Sequence, residues 1–288
     1  MDGRHGAANP ARVRGGGASL TTRVAGFLGC ALVAALSTAA LAQDTSKPEI
    51  DPRTLNRPVA TWTSVERAFG FAHWDQIFPA RTIARGAQVH PLPEGAPLPT
   101  FASGEGARQL RRNFDDFQLA GIVVLYDGKL RLEQYAPGYS ATGRWVSFSL
   151  AKSLTSTLVG AALADGAIAS VDDTVTRYIP ELRGSAYDDV TVRQLLTMSS
   201  GVRWNEDYAD PQADVYRLYS APIDPGADAT VSYMRKLARD DAPGSKWHYN
   251  TGETNLIGVL VARATKKDLA TYASEKIWAR YGMQRPRA

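Results

Sequence analysis

Hydrophobic and polar positions change their spacing along the chain, and each change marks a different element. Ala120-Gly121-Ile122-Val123-Val124-Leu125-Tyr126 is a β-branched run, Asp127-Gly128 follows it, and Lys129 to Tyr135 alternates polar with apolar side chains. Asp-Gly supplies the residues a tight turn needs, so this stretch predicts an antiparallel hairpin. Ser149 then opens a segment reaching about Ala164, in which Leu150, Leu154 and Leu158, with Ala151 and Ala162, make most of the surface apolar. That is the pattern of a buried central helix, and Asp165-Gly166 ends it. After it the strand signal fades. Asp172-Asp173 predicts the start of a short helix to Ile179, stopped by Pro180, and Thr191 predicts the cap of another from Val192 to Met198, closed by Ser199-Ser200-Gly201. Helical patterns also cover roughly 229–239, 253–265 and 268–281, and an acidic aromatic loop, Trp204 to Pro211, lies among them.

Residues 43–100 are rich in proline and turn residues, with aromatic patches such as Phe69-Gly70-Phe71-Ala72-His73-Trp74. They read as an irregular N-terminal wrapping segment. Residues 101–288 are left as the main domain, without an internal repeat. A hairpin, a buried helix and then mostly helices predict an α/β (α+β) arrangement: an antiparallel sheet flanked by helices, with a helical region attached.

Composition changes this picture little. The 288 residues are 44% hydrophobic and 22% charged, which suits a globular chain rather than a disordered one. The net charge of +4 has a local origin: the first 42 residues hold Arg4, Arg12, Arg14 and Arg23 against Asp2, a surplus of three, and leave the remainder near +1. That balance favours neither nucleic acid nor an anionic membrane as partner. Arginines followed by an apolar run from Val24 to about Leu36, with Ala40-Leu41-Ala42 before Gln43, predict an export signal over residues 1–42 and a periplasmic or secreted product with no stable membrane span once the signal is cut. Cys30, the single cysteine, lies inside this leader. Cleavage after Ala42 would therefore leave a mature chain with no disulfide, thiol nucleophile or thiolate metal site.

The candidate chemistry begins at Trp145-Val146-Ser147-Phe148-Ser149-Leu150-Ala151-Lys152. With Ser149 at or just inside a helix start, a spacing of three places the Lys152 ammonium on the same face as the hydroxyl. A serine needs a neighbouring base to become a nucleophile, and a helix start adds N–H groups that stabilise an oxyanion. A capped helix start with an exposed lysine has the same spelling, so the pair alone does not decide the matter. His73 and His90 stand far from this nucleophile and read as structural or exposed. Other signatures fail: the chain has no Gly-x-Ser-x-Gly elbow, no His-Glu-x-x-His and no glycine-rich phosphate loop.

A second piece is Lys246-Trp247-His248-Tyr249-Asn250-Thr251-Gly252-Glu253-Thr254-Asn255-Leu256-Ile257-Gly258. Ser149-x-x-Lys152, the run Thr191-Val192-Arg193-Gln194-Leu195-Leu196-Thr197-Met198-Ser199-Ser200-Gly201, and Tyr249 nine residues before Gly258 come in the order seen in class C β-lactamase-like serine hydrolases. From about Phe101 to Met283 the chain resembles that group, which includes β-lactamases, D-alanyl-D-alanine carboxypeptidases, esterases and 6-aminohexanoate-dimer hydrolases. The resemblance implies a β-lactamase/transpeptidase-like fold and a Ser149 acyl-enzyme, with Lys152 and Tyr249 sharing the base and acid work. It also implies a small amide or ester substrate and no metal or organic cofactor. His248 is read as a neighbour without a role.

Two departures bear on what the resemblance implies. Thr251 stands where the family often has an asparagine that contacts a substrate amide, which argues against an efficient β-lactamase. The 6-aminohexanoate-dimer hydrolase branch tolerates a small hydroxyl residue there and has a tyrosine-bearing loop where Tyr208 stands, so Tyr208 and Thr251 become candidate substrate contacts. The family's third motif, Lys or His followed by Ser or Thr and then Gly, does not follow Tyr249. The expectation is thus a chain incomplete at its C-terminus and lacking the strand that carries that motif. The alternatives are a penicillin-binding carboxypeptidase or β-lactamase, and an inactive fragment or non-catalytic envelope binding protein. Oligomeric state is not legible.

Overall fold

The computed structural model describes residues 50–284, so the export signal expected over residues 1–42, with Cys30 and the expected cleavage after Ala42, lies outside the described residues. The wrapping segment is more regular than its composition suggests. α1 (Ser64–Ala72) begins at Thr63, whose hydroxyl receives the Glu66 N–H while the Glu66 carboxylate receives the Thr63 N–H, a reciprocal cap. α2 (Trp74–Ile77) and α3 (Pro99–Ala102) are single turns, and α4 (Gly104–Asp116) is a largely polar helix that buries Ala107 and Leu110.

The predicted hairpin is present: β1 (Gly121–Tyr126) pairs antiparallel with β2 (Lys129–Tyr135), from Gly121 opposite Tyr135 to Tyr126 opposite Lys129, with a bulge at Val124/Leu125. Asp127 and Gly128 carry φ of 53° and 68°, the left-handed pair the turn requires. Val123 and Leu125 on β1 are half exposed.

After the hairpin come a 3₁₀ turn, Phe148–Leu150, and α5 (Ala151–Ala164). α5 is less enclosed than its sequence predicts. Leu158, Val159 and Ala162 are buried against α9 (Thr251–Thr265), while Leu150 is 72% exposed and Ala151, Ser156 and Thr157 lie open among the described residues. Between these two helices in sequence come α6 (Val192–Leu196), α7 (Asp214–Ser220) and α8 (Ala229–Met234). After α9 comes α10 (Leu269–Ala273), which continues into a π turn, Ser274–Trp278. Their buried faces form one core around Val159, Leu195, Trp204, Leu218, Met234, Leu256 and Leu260. Among the described residues no helix is long and apolar enough to cross a membrane.

Two predicted helices are shorter because tertiary pairing claims their backbone. The stretch expected from Asp172 to Ile179 is a 3₁₀ turn, Val175–Arg177: Thr174 bridges Thr191, and the Val175 N–H goes to the Val190 carbonyl at 2.9 Å. Past Met234 the expected helix gives way to extended chain, where Arg239 bridges Val202 and the Ala238 carbonyl receives the Arg203 N–H at 2.8 Å. By contrast Thr191 caps α6 as expected, with Gln194 completing a reciprocal pair.

Gly201 is fixed by two constraints. Its φ is +77°, and a Cβ there would stand 1.9 Å from the Asp241 carbonyl oxygen, which receives no side chain at that distance. Asp240 and Asp241 both donate their N–H groups to the Gly201 carbonyl, at 2.9 and 3.0 Å. Gly201→Ala is therefore expected to cost on the order of 3 kcal/mol. A clear fall in the urea midpoint at unchanged slope checks this, and an unshifted midpoint contradicts it.

Candidate active site

Three of the five sequence-predicted site residues converge on one oxygen. Ser149 sits in the middle of the Phe148–Leu150 turn, one residue short of α5, and Lys152 lies in the first turn of that helix. Lys152 Nζ is 3.4 Å from Ser149 Oγ, and the Tyr249 hydroxyl, a hundred residues further on, donates to the same Oγ at 2.8 Å. The ammonium also lies 5.2 Å from the centre of the Tyr249 ring. Ser149 is exposed, so this oxygen faces open solvent rather than the enclosed interior. The Ser149 N–H lies in the first turn of this opening segment, where backbone N–H groups lack carbonyl partners within the turn itself.

Tyr249 is placed by what precedes and follows it. Before it, the His248 N–H donates to the Met198 carbonyl at 2.9 Å and the Gly244 N–H to the Ser199 carbonyl at 2.7 Å, so the chain leading to Tyr249 runs along the end of the Thr191–Gly201 segment. His248 Nε2 is bonded to the Trp204 carbonyl at 2.8 Å, a structural contact. After it, Asn250 caps α9: its side chain receives the Glu253 N–H at 3.0 Å. Asn250-x-x-Glu253 has the spelling of a cap signal that the helical pattern expected over 253–265 did not take into account, and the helix starts two residues earlier, at Thr251.

Glu206 is the residue that sequence reasoning passed over. Its carboxylate receives the Thr251 N–H at 3.0 Å, the Thr251 hydroxyl at 2.5 Å, the Tyr208 hydroxyl at 2.8 Å and the Trp204 indole N–H. It thus joins the two candidate substrate contacts and satisfies an N–H at the start of α9, where a negative charge is favoured. Tyr208 remains 52% exposed, with its edge against Tyr216, whose hydroxyl donates to the Tyr208 carbonyl at 2.9 Å. Burial of the hydroxyl, followed by the hydrogen-bonded Glu206 carboxylate, pushes the Tyr208 phenol well above the ordinary tyrosine range. It is a donor held neutral.

Beneath Tyr249 lies a buried polar set. Glu253 is 1% exposed; its Oε1 receives the Ser200 hydroxyl and, at 3.4 Å, the Asn250 amide, while Oε2 and the Tyr187 hydroxyl have no partner among the described residues. Burial raises the Glu253 carboxyl from 4.5 to about 8, against a smaller opposing effect of the Ser200 hydrogen bond. Tyr187, fully buried, is pushed up first by burial and then by Glu253.

Beside Lys152 a cleft of about 180 Å³ is lined by Ser153, Ser156, Leu196, Met198 and Ile257. A larger hollow of about 640 Å³, bordered by Asp188, Asp189 and Arg239, contains none of the converging residues, and its Arg239 already pairs with Asp189. Among the described residues no three His, Cys, Asp or Glu gather as metal ligands.

The beta-lactamase family model matches residues 108–288. A 6-aminohexanoate-dimer hydrolase from Paenarthrobacter ureafaciens is 27% identical over 227 residues, covering 75% of this chain and 56% of that protein. The chain thus spans little more than half the length of this relative. Among solved structures, a candidate 6-aminohexanoate-dimer hydrolase from Bacillus anthracis superposes with a TM-score of 0.65 at 24% identity, over 78% of this chain and 61% of that one. A candidate beta-lactamase from Bacteroides dorei gives 0.50 at 25% identity, over 62% and 51%. The β-lactamase/transpeptidase-like fold expected from the sequence is the one found.

The buried carboxyl gives a prediction about pH. Its folded value lies above its unfolded one, so between about pH 5 and 8 the folded chain keeps a proton that the unfolded chain has released. Stability contributed by the neutral acid is complete below pH 4.5 and is lost as pH rises to about 8. Tyr187, the buried hydroxyl beside it, is pushed further up from the tyrosine range by burial and stays out of that window. Glu253→Gln should remove a fall on the order of a few kcal/mol from the stability-against-pH curve measured by urea unfolding. Parallel curves for the two proteins would contradict the buried neutral acid.

Proposed function

Because the chain belongs to the beta-lactamase family, we propose that it is an exported serine hydrolase that cleaves an amide or ester of a small linear substrate through a Ser149 acyl-enzyme. The observation that carries this reading is the meeting of Tyr249 OH and Lys152 Nζ at Ser149 Oγ, 2.8 and 3.4 Å away. A hydroxyl pair at 2.8 Å passes a proton in either direction, which is what general acid–base catalysis asks of its geometry.

The reactive form holds one proton fewer on the pair: with Tyr249 as the phenolate beside the Lys152 ammonium, Ser149 Oγ bonds to the substrate carbonyl carbon, its proton passes to the Tyr249 oxygen, and the carbonyl π electrons move onto the carbonyl oxygen. The lysine's positive charge, held beside Oγ, stabilises the negative charge that develops there, and the Ser149 N–H meets the carbonyl oxygen. The scissile bond then breaks, the departing nitrogen or oxygen takes the proton back from Tyr249, and an acyl-serine remains. Water attacks that ester, gives a proton to the same pair, and releases the acid with Ser149 restored. Tyr208 and Thr251, both tied to Glu206, form a hydroxyl-bearing wall next to Tyr249 and are assigned to substrate contact. A linear amide is favoured because the P. ureafaciens relative is named for one and because Thr251 offers no amide group of its own.

Two measurements test this reading. Intact-mass analysis after exposure to a fluorophosphonate should show a single adduct mapping to Ser149 and absent from Ser149→Ala; a folded chain without that adduct contradicts the acyl-enzyme. Expression of the whole chain in a Gram-negative host should give a periplasmic product beginning at Gln43, and a product retaining the leader contradicts export.

A further inference from the structure

The turn that presents the serine has a backbone its sequence does not favour. Phe148, immediately before Ser149, has a φ of +43°. A bulky non-glycine residue seldom adopts that region, and does so only where its surroundings hold it. Those surroundings come from the segment expected to be an irregular wrap. Phe71 of α1 meets the Phe148 ring edge-on with centroids 5.0 Å apart, and Trp74 of α2 meets it at 5.5 Å and 73°. Phe71 also meets Trp145 at 5.5 Å, and its carbonyl receives the Val146 N–H at 2.8 Å. Asp75 pairs with Arg144. Behind Phe71 and Trp74 stands Trp62, 2% exposed and 6.0 and 5.9 Å from their centroids, lying over Gly70, where a Cβ would come within 2.3 Å of the indole. Every residue from Arg144 to Phe148 except Ser147 is thus engaged by residues 71–75.

We infer that Phe71 and Trp74 hold Phe148 in its left-handed conformation and thereby aim Ser149 Oγ at Tyr249 and Lys152, which makes residues 62–78 a positioning element for the nucleophile. Lys152 is fixed by α5, and Tyr249 by the capped start of α9 that follows it and the His248 N–H bond to Met198 that precedes it; the packing of both helices belongs to the helical core, which includes neither Phe71, Trp74 nor Phe148. The serine turn projects from this core, and the aromatic grip is what decides where Oγ points. This inference rests on Ser149 being the nucleophile. Phe71 and Trp74 touch neither Oγ nor its partners; they act through Phe148.

The test is a cycle of variants in the full chain, read by the second-order rate of fluorophosphonate labelling at Ser149 and by hydrogen–deuterium exchange of peptides covering 144–152 and 251–265. Glycine adopts a positive φ freely, so Phe148→Gly removes the need for the grip. In the unsubstituted background, Phe71→Ala and Trp74→Ala should each slow labelling by roughly tenfold, given the size of aromatic contacts and the sensitivity of attack to aim. Exchange should rise over 144–152 and stay unchanged over 251–265. In the Phe148→Gly background the same two substitutions should slow labelling less than twofold, a non-additivity that merely structural aromatics would not give. Equal slowing in both backgrounds, or wild-type rates in chains that retain exchange protection over 251–265, overturns the inference. Absence of any Ser149 adduct in the unsubstituted chain, with exchange over 144–152 still rising in Trp74→Ala, overturns the hydrolase reading and leaves the grip standing.

Discussion

Tyr249 reaches Ser149 only because the first turn of α9 is held from two directions. From inside, Asn250 caps the helix and Glu253, kept as a neutral acid by burial, accepts the Ser200 hydroxyl at the end of the Thr191–Gly201 segment. From the surface side, the Glu206 carboxylate takes the Thr251 N–H and hydroxyl together. A helix start leaves its first N–H groups without partners; here the Thr251 N–H is satisfied by Glu206, distant in the chain, and the Glu253 N–H by the cap residue Asn250. The satisfaction of backbone donors and the placement of a candidate catalytic hydroxyl are one arrangement. This also explains the Ser199-Ser200-Gly201 sequence in physical terms: Ser200 supplies the buried donor, and Gly201 supplies the turn that lets Asp240 and Asp241 approach.

The opposite side of the site is built differently. Lys152 rides on α5, whose inner face is locked against α9 through Leu158, Val159 and Ala162. Ser149 lies outside that helix on a strained turn, and its environment is aromatic surface rather than core. Lys152 on α5 and Tyr249, just ahead of the α9 cap, thus meet a candidate nucleophile that lies on a turn packed against side-chain rings of residues 71–74. Strain in one backbone residue, held by neighbours, is a common way for a fold to present a reactive atom.

Much of this was legible in the residues and some was not. The hairpin followed from alternation and Asp-Gly, α6 from the Thr191 cap, and the pairing of Ser149 with Lys152 from a spacing of three. These are local signals, and tertiary structure had only to agree with them. The helix expected after Asp172 failed because Thr174 pairs with Thr191, and the one expected to run on to Arg239 failed because that residue pairs with Val202; both partners are remote in sequence. Thr63-x-x-Glu66 carried a cap signal that proline-rich flanks obscured, so α1 was read as irregular. Glu206 stood in plain view within the acidic loop, but nothing local distinguished it from Asp207 or Asp210; only the fold brings Thr251 to it. The left-handed Phe148 had no sequence signature, since that conformation usually calls for glycine.

The central claim is that Tyr249 and Lys152 act on Ser149 as one unit, and a kinetic cycle addresses it most directly. The burst of p-nitrophenol from a p-nitrophenyl ester would be followed in the unsubstituted chain, in Tyr249→Phe, in Lys152→Ala and in the double variant. Groups that act together lose nearly all their effect when either is removed. The account predicts that each single variant slows the burst by on the order of a hundredfold or more and that the double variant is little slower than the worse single one. Losses that multiply in the double variant, or a burst untouched by Tyr249→Phe, would contradict it.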